Sequence, residues 1–486
     1  MKKLLIMAVM ILLLQFIPQE QTASACTIGA ATGAVTADGR PLLWKSRVSS
    51  PHNYVVFVEG DPYNYLGVKH SGDTGVMMGL NAAGVATGNA MVSSPGLHPH
   101  SVLQADILEQ SATVDDALDF IETAYNATSL VASTNLPLID ALDEAWMVEV
   151  WCEEPNNGGQ HHLWEYEAAH INRQSHPAPL GDMQYWIIRA NQWHMNDNHQ
   201  DNPAVYYQSS TYHAGVDITR DLIDPNDPVS NLSAEGIMRD FMRNPTIGQS
   251  SCSSMVVHGV LPTENPILST MWVALGNAEY AIAVPMWVQV GYVPYPMADQ
   301  AGADGAPLAE IADAMNTQGF SVPQIQARVL LVEEFLFSEV AELMVRWRQD
   351  ISLAQEHMPR VEESMAADAY SLVEDLYEDD PNNHAPTVTI VITPQPPSDS
   401  LDDGETDTVY RFEAIAEDLE GEIVRYRWDF GDYSDCPEEP IVYHRYFDEG
   451  WYLVSCQVMD ENEVTATDWI YFYHEDQETN SAGSPD

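Results

Sequence analysis

The sequence predicts an α+β protein in three successive parts. Short apolar runs of period two, separated by helical patterns, extend to about residue 300; three- and four-residue apolar spacing with few breakers fills 301–380; short alternating strands return over 384–475. A length of 486 residues suits two or three domains of ~100–200 residues each, and the 45% hydrophobic content can fill their cores.

The N-terminus sets the compartment. Lys2 and Lys3 precede an apolar stretch from Leu4 to Ile17, then Pro18 and, further on, Ala23-Ser24-Ala25. This is the pattern of a secretory signal over 1–25 with a small-x-small cleavage site, too short to cross a bilayer. No later run in the sequence is long and apolar enough to cross one. Cleavage after Ala25 makes Cys26 the first residue of a secreted chain. A lipoprotein signal also ends directly before a cysteine, but such signals carry Leu where Ala23 stands and have no polar stretch like 18–25.

The first folded part is expected over 26–300. Its strand runs are 27–35, 41–44, 54–58, 146–151, 185–188, 255–260, 271–275 and 281–290, each bounded by Gly, Pro, Asn or Asp. Ala37-Asp38-Gly39-Arg40-Pro41 reads as a hairpin turn between the first two. Helices are expected over 103–112 and 113–123, the second capped by Thr113 ahead of Val114-Asp115-Asp116. The helical part, 301–380, divides into 306–316, 322–347 and 351–377. A linker rich in Asp, Pro and Asn at 379–386 leads into the β-sandwich, and 476–486 reads as a disordered polar tail.

Nineteen Lys+Arg stand against 73 Asp+Glu, a formal net charge of -54. Such a surface repels nucleic acid and anionic membranes, so neither is an expected partner. The acids are spread along the chain, as in a hydrated surface suited to saline surroundings; a cationic substrate is the other reading.

Cys26 carries the chemistry. An α-amine titrates near ~7.7–8.0 and a thiol near 8.5, so on one terminal residue the amine can take the thiol proton and supply nucleophile and base together. Cys26-Thr27, the segment Asp38-Gly39-Arg40-Pro41-Leu42-Leu43-Trp44-Lys45-Ser46-Arg47 and Gly79-Leu80-Asn81-Ala82-Ala83-Gly84-Val85 resemble the N-terminal-nucleophile (Ntn) hydrolase group of penicillin V acylase, conjugated bile acid hydrolase and isopenicillin N acyltransferase. Arg189-Ala190-Asn191 and Thr270 to Gly276 extend the resemblance across about 26–290.

The resemblance implies an αββα four-layer sandwich and hydrolysis of linear non-peptide amide bonds in N-acyl compounds, with acyl transfer as a variant and no cofactor or metal. Asn81, Gly84 and Asn89 match the group's N-x-x-G followed by a second asparagine, which makes Asn89 an oxyanion donor and places Asn81 at the substrate site. Asn191 matches the later asparagine. Lys45 sits at the group's basic position, with Arg47 as the other charged candidate. Two positions depart from the pattern. Val48 stands where the group has the aspartate that fixes the terminal amine, and Thr211 replaces the late arginine, for which Arg220 is the substitute considered.

The remaining candidates are structural. His98 with His100, and His161 with His162, lack the Cys or Glu spacing of a zinc site and read as surface residues. Cys152 and Cys252 are either a pair or buried thiols, and Cys436 and Cys456, in one small secreted sandwich, are expected to form a disulfide.

The last part resembles a PKD domain in Tyr426-Arg427-Trp428-Asp429-Phe430-Gly431-Asp432, His444-Arg445-Tyr446 and Gly450-Trp451-Tyr452-Leu453-Val454. An immunoglobulin-like sandwich follows from that, with Trp428 and Phe430 between its sheets and a spacer or surface-polymer-binding role. The whole reads as a secreted amidase or acylase acting on a small N-acyl amide. The alternative is a non-catalytic envelope or adhesion protein with a degenerate Ntn fold, lipidated at Cys26.

Overall fold

The chain opens with the strands β1 (Thr27–Ala31), β2 (Leu42–Arg47), β3 (Asn53–Val58), β4 (Tyr65–His70), β5 (Met78–Asn81), β6 (Ala86–Gly88) and β7 (Ala90–Ser93). After helices α1 (His100–Gln110) and α2 (Val114–Asn126) come β8 (Ser133–Ile139), β9 (Ala145–Cys152), β10 (His161–Glu167) and β11 (Trp186–Arg189), then α3 (Ser210–Leu222). β12 (Ser253–His258), β13 (Thr270–Leu275) and β14 (Ala283–Met286) complete this part. The computed structural model describes residues 25–49, 51–93, 100–126, 133–152, 161–167, 185–191, 210–223, 232–300, 305–378, 380–395 and 409–475. Residues 1–24 of the expected signal segment 1–25, His98 and the tail 476–486 lie outside them.

Two antiparallel sheets form. One is six-stranded, in the order β11-β1-β2-β12-β13-β14; the other is eight-stranded, β10-β9-β8-β6-β5-β4-β3 with β7 paired to β8. β1 and β2 lie against β6, β8 and β9, so the sheets face each other across a core that includes Ile28, Leu43, Leu80 and Met147. α3 packs on β1 and β11, while α1 packs on β4, β5 and β6. Thr113 and Asp116 cap α2 reciprocally: Asp116 N donates to Thr113 Oγ1 at 3.1 Å, and Thr113 N to Asp116 Oδ2 at 3.1 Å.

Sidedness in β2 follows from Trp44. It lies opposite Gly29 in β1, where a Cβ would meet the indole at 2.2 Å, and its ring meets Phe241 edge-on at 5.9 Å. Trp44 therefore faces outward, and Leu43, Lys45 and Arg47 point between the sheets.

Several strands depart from the sequence reading. β5 and β6 are buried along their whole lengths, so they show no alternation to read. The run 281–290 divides into β14 and a 3-10 turn at Val288–Val290, ended by Gly291 at φ 81°. β1 and β2 pair from Ala31↔Leu42 onward, so their connection is wider than a tight hairpin, with the turn itself at Gly39, φ 78°.

The helices α4 (Pro307–Gln318), α5 (Val322–Trp347) and α6 (Ile351–Glu378) cover β13 and β14. Trp272 of β13 stacks on Phe337 of α5, centroids 3.7 Å apart. The C-terminal strands are β15 (Thr387–Pro394), β16 (Tyr410–Glu417), β17 (Ile423–Asp429), β18 (Ile441–His444), β19 (Gly450–Asp460) and β20 (Thr465–His474), and α5 and α6 pack against β20. Trp347 Nε1 donates to Tyr471 Oη at 2.7 Å, and Arg360 donates to Leu453 O at 2.7 Å and to Asp429.

These six strands make two three-stranded sheets, β15-β16-β18 and β17-β19-β20, around a core with Phe412, Trp428, Phe430 and Tyr446. Gly431 turns the chain at φ 73°. The expected Cys436–Cys456 disulfide is absent: Cys456 is buried in the sandwich core, whereas Cys436 is exposed in the loop after β17, and both are free. Cys252 is likewise a free, buried thiol.

Candidate active site

Cys26 lies at the edge of β1, where the six-stranded sheet faces its partner, and is 9% exposed. Val48, just past β2, brackets its sulfur with backbone: Val48 N donates to Sγ at 3.4 Å, and Sγ donates to Val48 O at 3.7 Å. The position that lacks a carboxylate thus still holds the thiol, through the main chain.

Two cations lie between the sheets beside it. Lys45 is 1% exposed, and its Nζ donates to Asn89 Oδ1 at 2.6 Å and to Met77 O at 2.8 Å. Burial brings its ammonium down to about 7; a negative Cys26 opposes the fall and the Arg47 guanidinium adds to it. Arg47, 4% exposed, donates to Asn53 Oδ1 and to Cys252 Sγ at 3.2 Å. Asn53 Nδ2 in turn holds Cys252 O at 3.1 Å, and Cys252 Sγ donates to Arg47 O at 3.4 Å. Burial pushes the Cys252 thiol up, with Arg47 opposing. In a chain of net charge -54, these two buried cations are paired with neutral amides, carbonyls and a thiol.

Asn89 joins β6 to β7 and is 4% exposed. Asn191 follows β11, whose register with β1 sets Arg189 opposite Ile28 and Ile188 opposite Gly29. Continued by two residues, that register sets Asn191 across from Cys26. Its Oδ1 is buried, with no hydrogen-bond partner among the described residues. Asn135 of β8 secures this strand end, its Nδ2 donating to Ala190 O at 2.7 Å.

The other two predicted site residues go elsewhere. Asn81 Nδ2 donates to Leu108 O at 2.8 Å and Ser111 O at 2.7 Å, while Oδ1 accepts from Ala83 N at 3.0 Å and Val85 N at 2.9 Å. All four of its hydrogen-bonding positions brace the β5–β6 turn and the end of α1, leaving none for a substrate. Arg220 sits on the surface of α3 in an exposed pair with Asp217 at 3.2 Å.

Sequence reasoning missed Asn53, Cys252 as a partner of Arg47, and Asn135. The signal available for Asn53 and Asn135 was a polar amide directly ahead of a strand's apolar residues, Tyr54-Val55-Val56 and Leu136-Pro137-Leu138. Among the described residues no three His, Cys, Asp or Glu side chains converge as a metal site, and no helix is long and apolar enough to cross a membrane.

No curated protein matches the chain. Among solved structures, an N-acylethanolamine-hydrolyzing acid amidase ortholog from Caenorhabditis elegans is similar at 14% identity and TM-score 0.34, over 49% of this chain and 94% of its own. A variant of conjugated bile acid hydrolase from Clostridium perfringens is similar at 12% identity and TM-score 0.32, over 54% of this chain and 92% of its own. A PKD domain of Vibrio anguillarum Epp is similar at 25% identity and TM-score 0.16, over 19% of this chain and 96% of its own. Residues 401–468 match the family model of the PKD domain, and the C-terminal β-sheet module is a PKD domain.

Proposed function

We propose that the chain is a secreted Ntn amide hydrolase acting on linear N-acyl compounds, with Cys26 as its nucleophile. The observation that carries the reading is the setting of the Cys26 sulfur. A backbone N–H holds it, two buried cations lie beside it, Asn89 is hydrogen-bonded to one of them from the facing sheet, and the β1–β11 register continues to Asn191 just past β11. The facing sheets, with α3 on one outer surface and α1 on the other, support the four-layer αββα arrangement.

Removal of 1–25 frees the Cys26 α-amine. That amine takes the thiol proton, and the thiolate attacks the carbonyl carbon of the amide. The carbonyl π electrons move onto oxygen, where Asn89 and Asn191 donate to the oxyanion. Collapse breaks the C–N bond, and the leaving nitrogen takes the proton from the α-ammonium. Water then hydrolyses the thioester with the amine again as base, releasing the acid; an amine in place of water gives acyl transfer. Arg47 keeps the site positive while charge develops. The PKD module serves as spacer or attachment to a surface polymer.

Cys26→Ser tests the reading. Folding should persist, while turnover of N-acyl amides should fall by orders of magnitude, because a hydroxyl ionises far less readily than a thiol. Turnover at the wild-type rate would refute it. Val48 favours a second reading, a non-catalytic envelope protein lipidated at Cys26, since the terminal amine has no carboxylate at that position. The mass of the mature chain separates the two: an unmodified N-terminal Cys26 supports the hydrolase, and a diacylglycerol adduct on the thiol supports the envelope protein.

A further inference from the structure

The geometry points to Lys45 as the residue that orients the Asn89 amide toward the reacting carbonyl, acting from the opposite sheet. This rests on the hydrolase reading and assigns a positioning role within that site. Lys45 belongs to β2 of the six-stranded sheet, whereas Asn89 lies between β6 and β7 of the eight-stranded sheet. The Lys45 stem crosses the interval over Gly88, where an added Cβ would come within 3.2 Å of Lys45 Cδ. Gly88 therefore leaves the channel through which the side chain reaches Asn89.

The direction of the contact follows from donor chemistry. An ammonium has three N–H donors and no acceptor, so only the oxygen of the Asn89 amide can face it. The 2.6 Å Nζ···Oδ1 contact, with Met77 O as a second acceptor at 2.8 Å, fixes that orientation. Asn89 Nδ2 must then point away from Lys45, free to donate to an oxyanion. A reversed amide would present Oδ1 to the oxyanion and repel it. Loss of the ammonium proton gives the nitrogen a lone pair, and the reversed orientation is then no longer forbidden. The charged or titratable groups facing Lys45 are Cys26 from β1, Arg47 from its own strand and Cys252 ahead of β12.

The test is a double-mutant cycle on the full mature chain with an N-acyl amide substrate, comparing Lys45→Met, Asn89→Ala and the double variant. Lys45→Met should lower kcat about 10²-fold, the loss typical of one oxyanion donor, with KM within about threefold. The double variant should be no slower than Asn89→Ala, and Lys45→Met should alkylate at Cys26 with iodoacetamide within about threefold of the wild-type rate, far less than the loss in kcat. Additive losses, or a parallel loss of alkylation, would show that Lys45 acts on the thiol and would overturn the assignment. A second readout needs no turnover: the Asn89 side-chain amide resonances, identified by their loss in Asn89→Ala. They should titrate below about pH 7 in the Cys26→Ser background, where a negative Cys26 no longer raises the Lys45 ammonium, and stop titrating when Lys45→Met is added. Resonances indifferent to Lys45→Met would refute the orientation even if amides are hydrolysed. Conversely, an inactive wild-type chain whose Asn89 resonances follow Lys45 would refute the hydrolase reading alone.

Discussion

Arg243 and Glu333 form a bidentate ion pair with both side chains buried, Nη1 lying 2.8 Å from Oε2 while Nη2 donates to Oε1. The guanidinium also reaches Met238 O at 3.1 Å and Ala281 O at 2.8 Å, and Glu333 accepts the Ala283 amide at 2.6 Å. The pair thereby ties the strand-rich part to α5. Removing one member leaves the other charge buried alone, which costs about 3–5 kcal/mol. Glu333→Ala should therefore unfold at a much lower temperature or denaturant concentration, while Arg243→Met with Glu333→Leu should recover most of the loss. A Glu333→Ala midpoint equal to wild type would contradict the pair's role.

Asn81 should behave as a structural residue. Asn81→Ala leaves the Ala83 and Val85 amides and the Leu108 and Ser111 carbonyls without their side-chain partner. Unsatisfied buried groups cost about 1–3 kcal/mol each, so stability should drop while KM for an N-acyl amide stays near wild type. A raised KM at unchanged stability would return Asn81 to the substrate site.

The contact between α5 and β20 should weaken as pH rises. Glu339 is 6% exposed with Oε2 unpaired; burial lifts it to about 8, and Asp468 and Glu342 push the same way. Burial lifts Asp468 to about 6, opposed by the Ile390 and Trp469 amides. In the unfolded chain such carboxyls ionise near ~4, so the folded state holds protons that the unfolded state has lost. Their penalty is absent below about pH 4, grows as the unfolded groups ionise, and is complete once pH passes about 8. The melting temperature should fall between pH 5 and 9 for these groups, and Glu339→Gln should flatten the decline. An identical pH profile in wild type and variant would exclude Glu339 as its source.

Thiol labelling should distinguish Cys436 from Cys456. Cys436 is exposed, whereas burial pushes the Cys456 thiol up to about 12. Native protein should label at Cys436 and not at Cys456, denatured protein at both, and a reductant should leave the melting temperature unchanged. A reductant-dependent melting point would restore the disulfide.

Salt should stabilise the fold. With a net charge of -54, self-repulsion is screened over about 10 Å at 0.1 M salt and ~3 Å at 1 M. The melting temperature should rise from low to near-molar sodium chloride, and still rise after deletion of 384–486, because acids are abundant in the remaining chain. A flat or falling curve would favour a cationic partner for the acidic surface.

The sequence by itself determined what local rules govern. Helices α5 and α6 carry their own three- and four-residue apolar spacing, Thr113 and Asp116 cap α2 within one turn, and Trp428 and Phe430 mark a sandwich core within one strand and its turn. Cys26 could be singled out as a candidate because the expected cleavage site lies directly before it. Tertiary structure decided the rest. β5 and β6 show no alternation because both their faces are covered, and only packing shows what covers them. Asn81 and Asn89 carry the same amide group, yet one meets four backbone groups and the other an ammonium from the facing sheet. Arg47 and Arg220 divide in the same way, one enclosed between sheets and one on a helix surface. Strand pairing and sheet stacking join residues far apart in sequence, and a side chain's role follows from which neighbours that stacking brings to it.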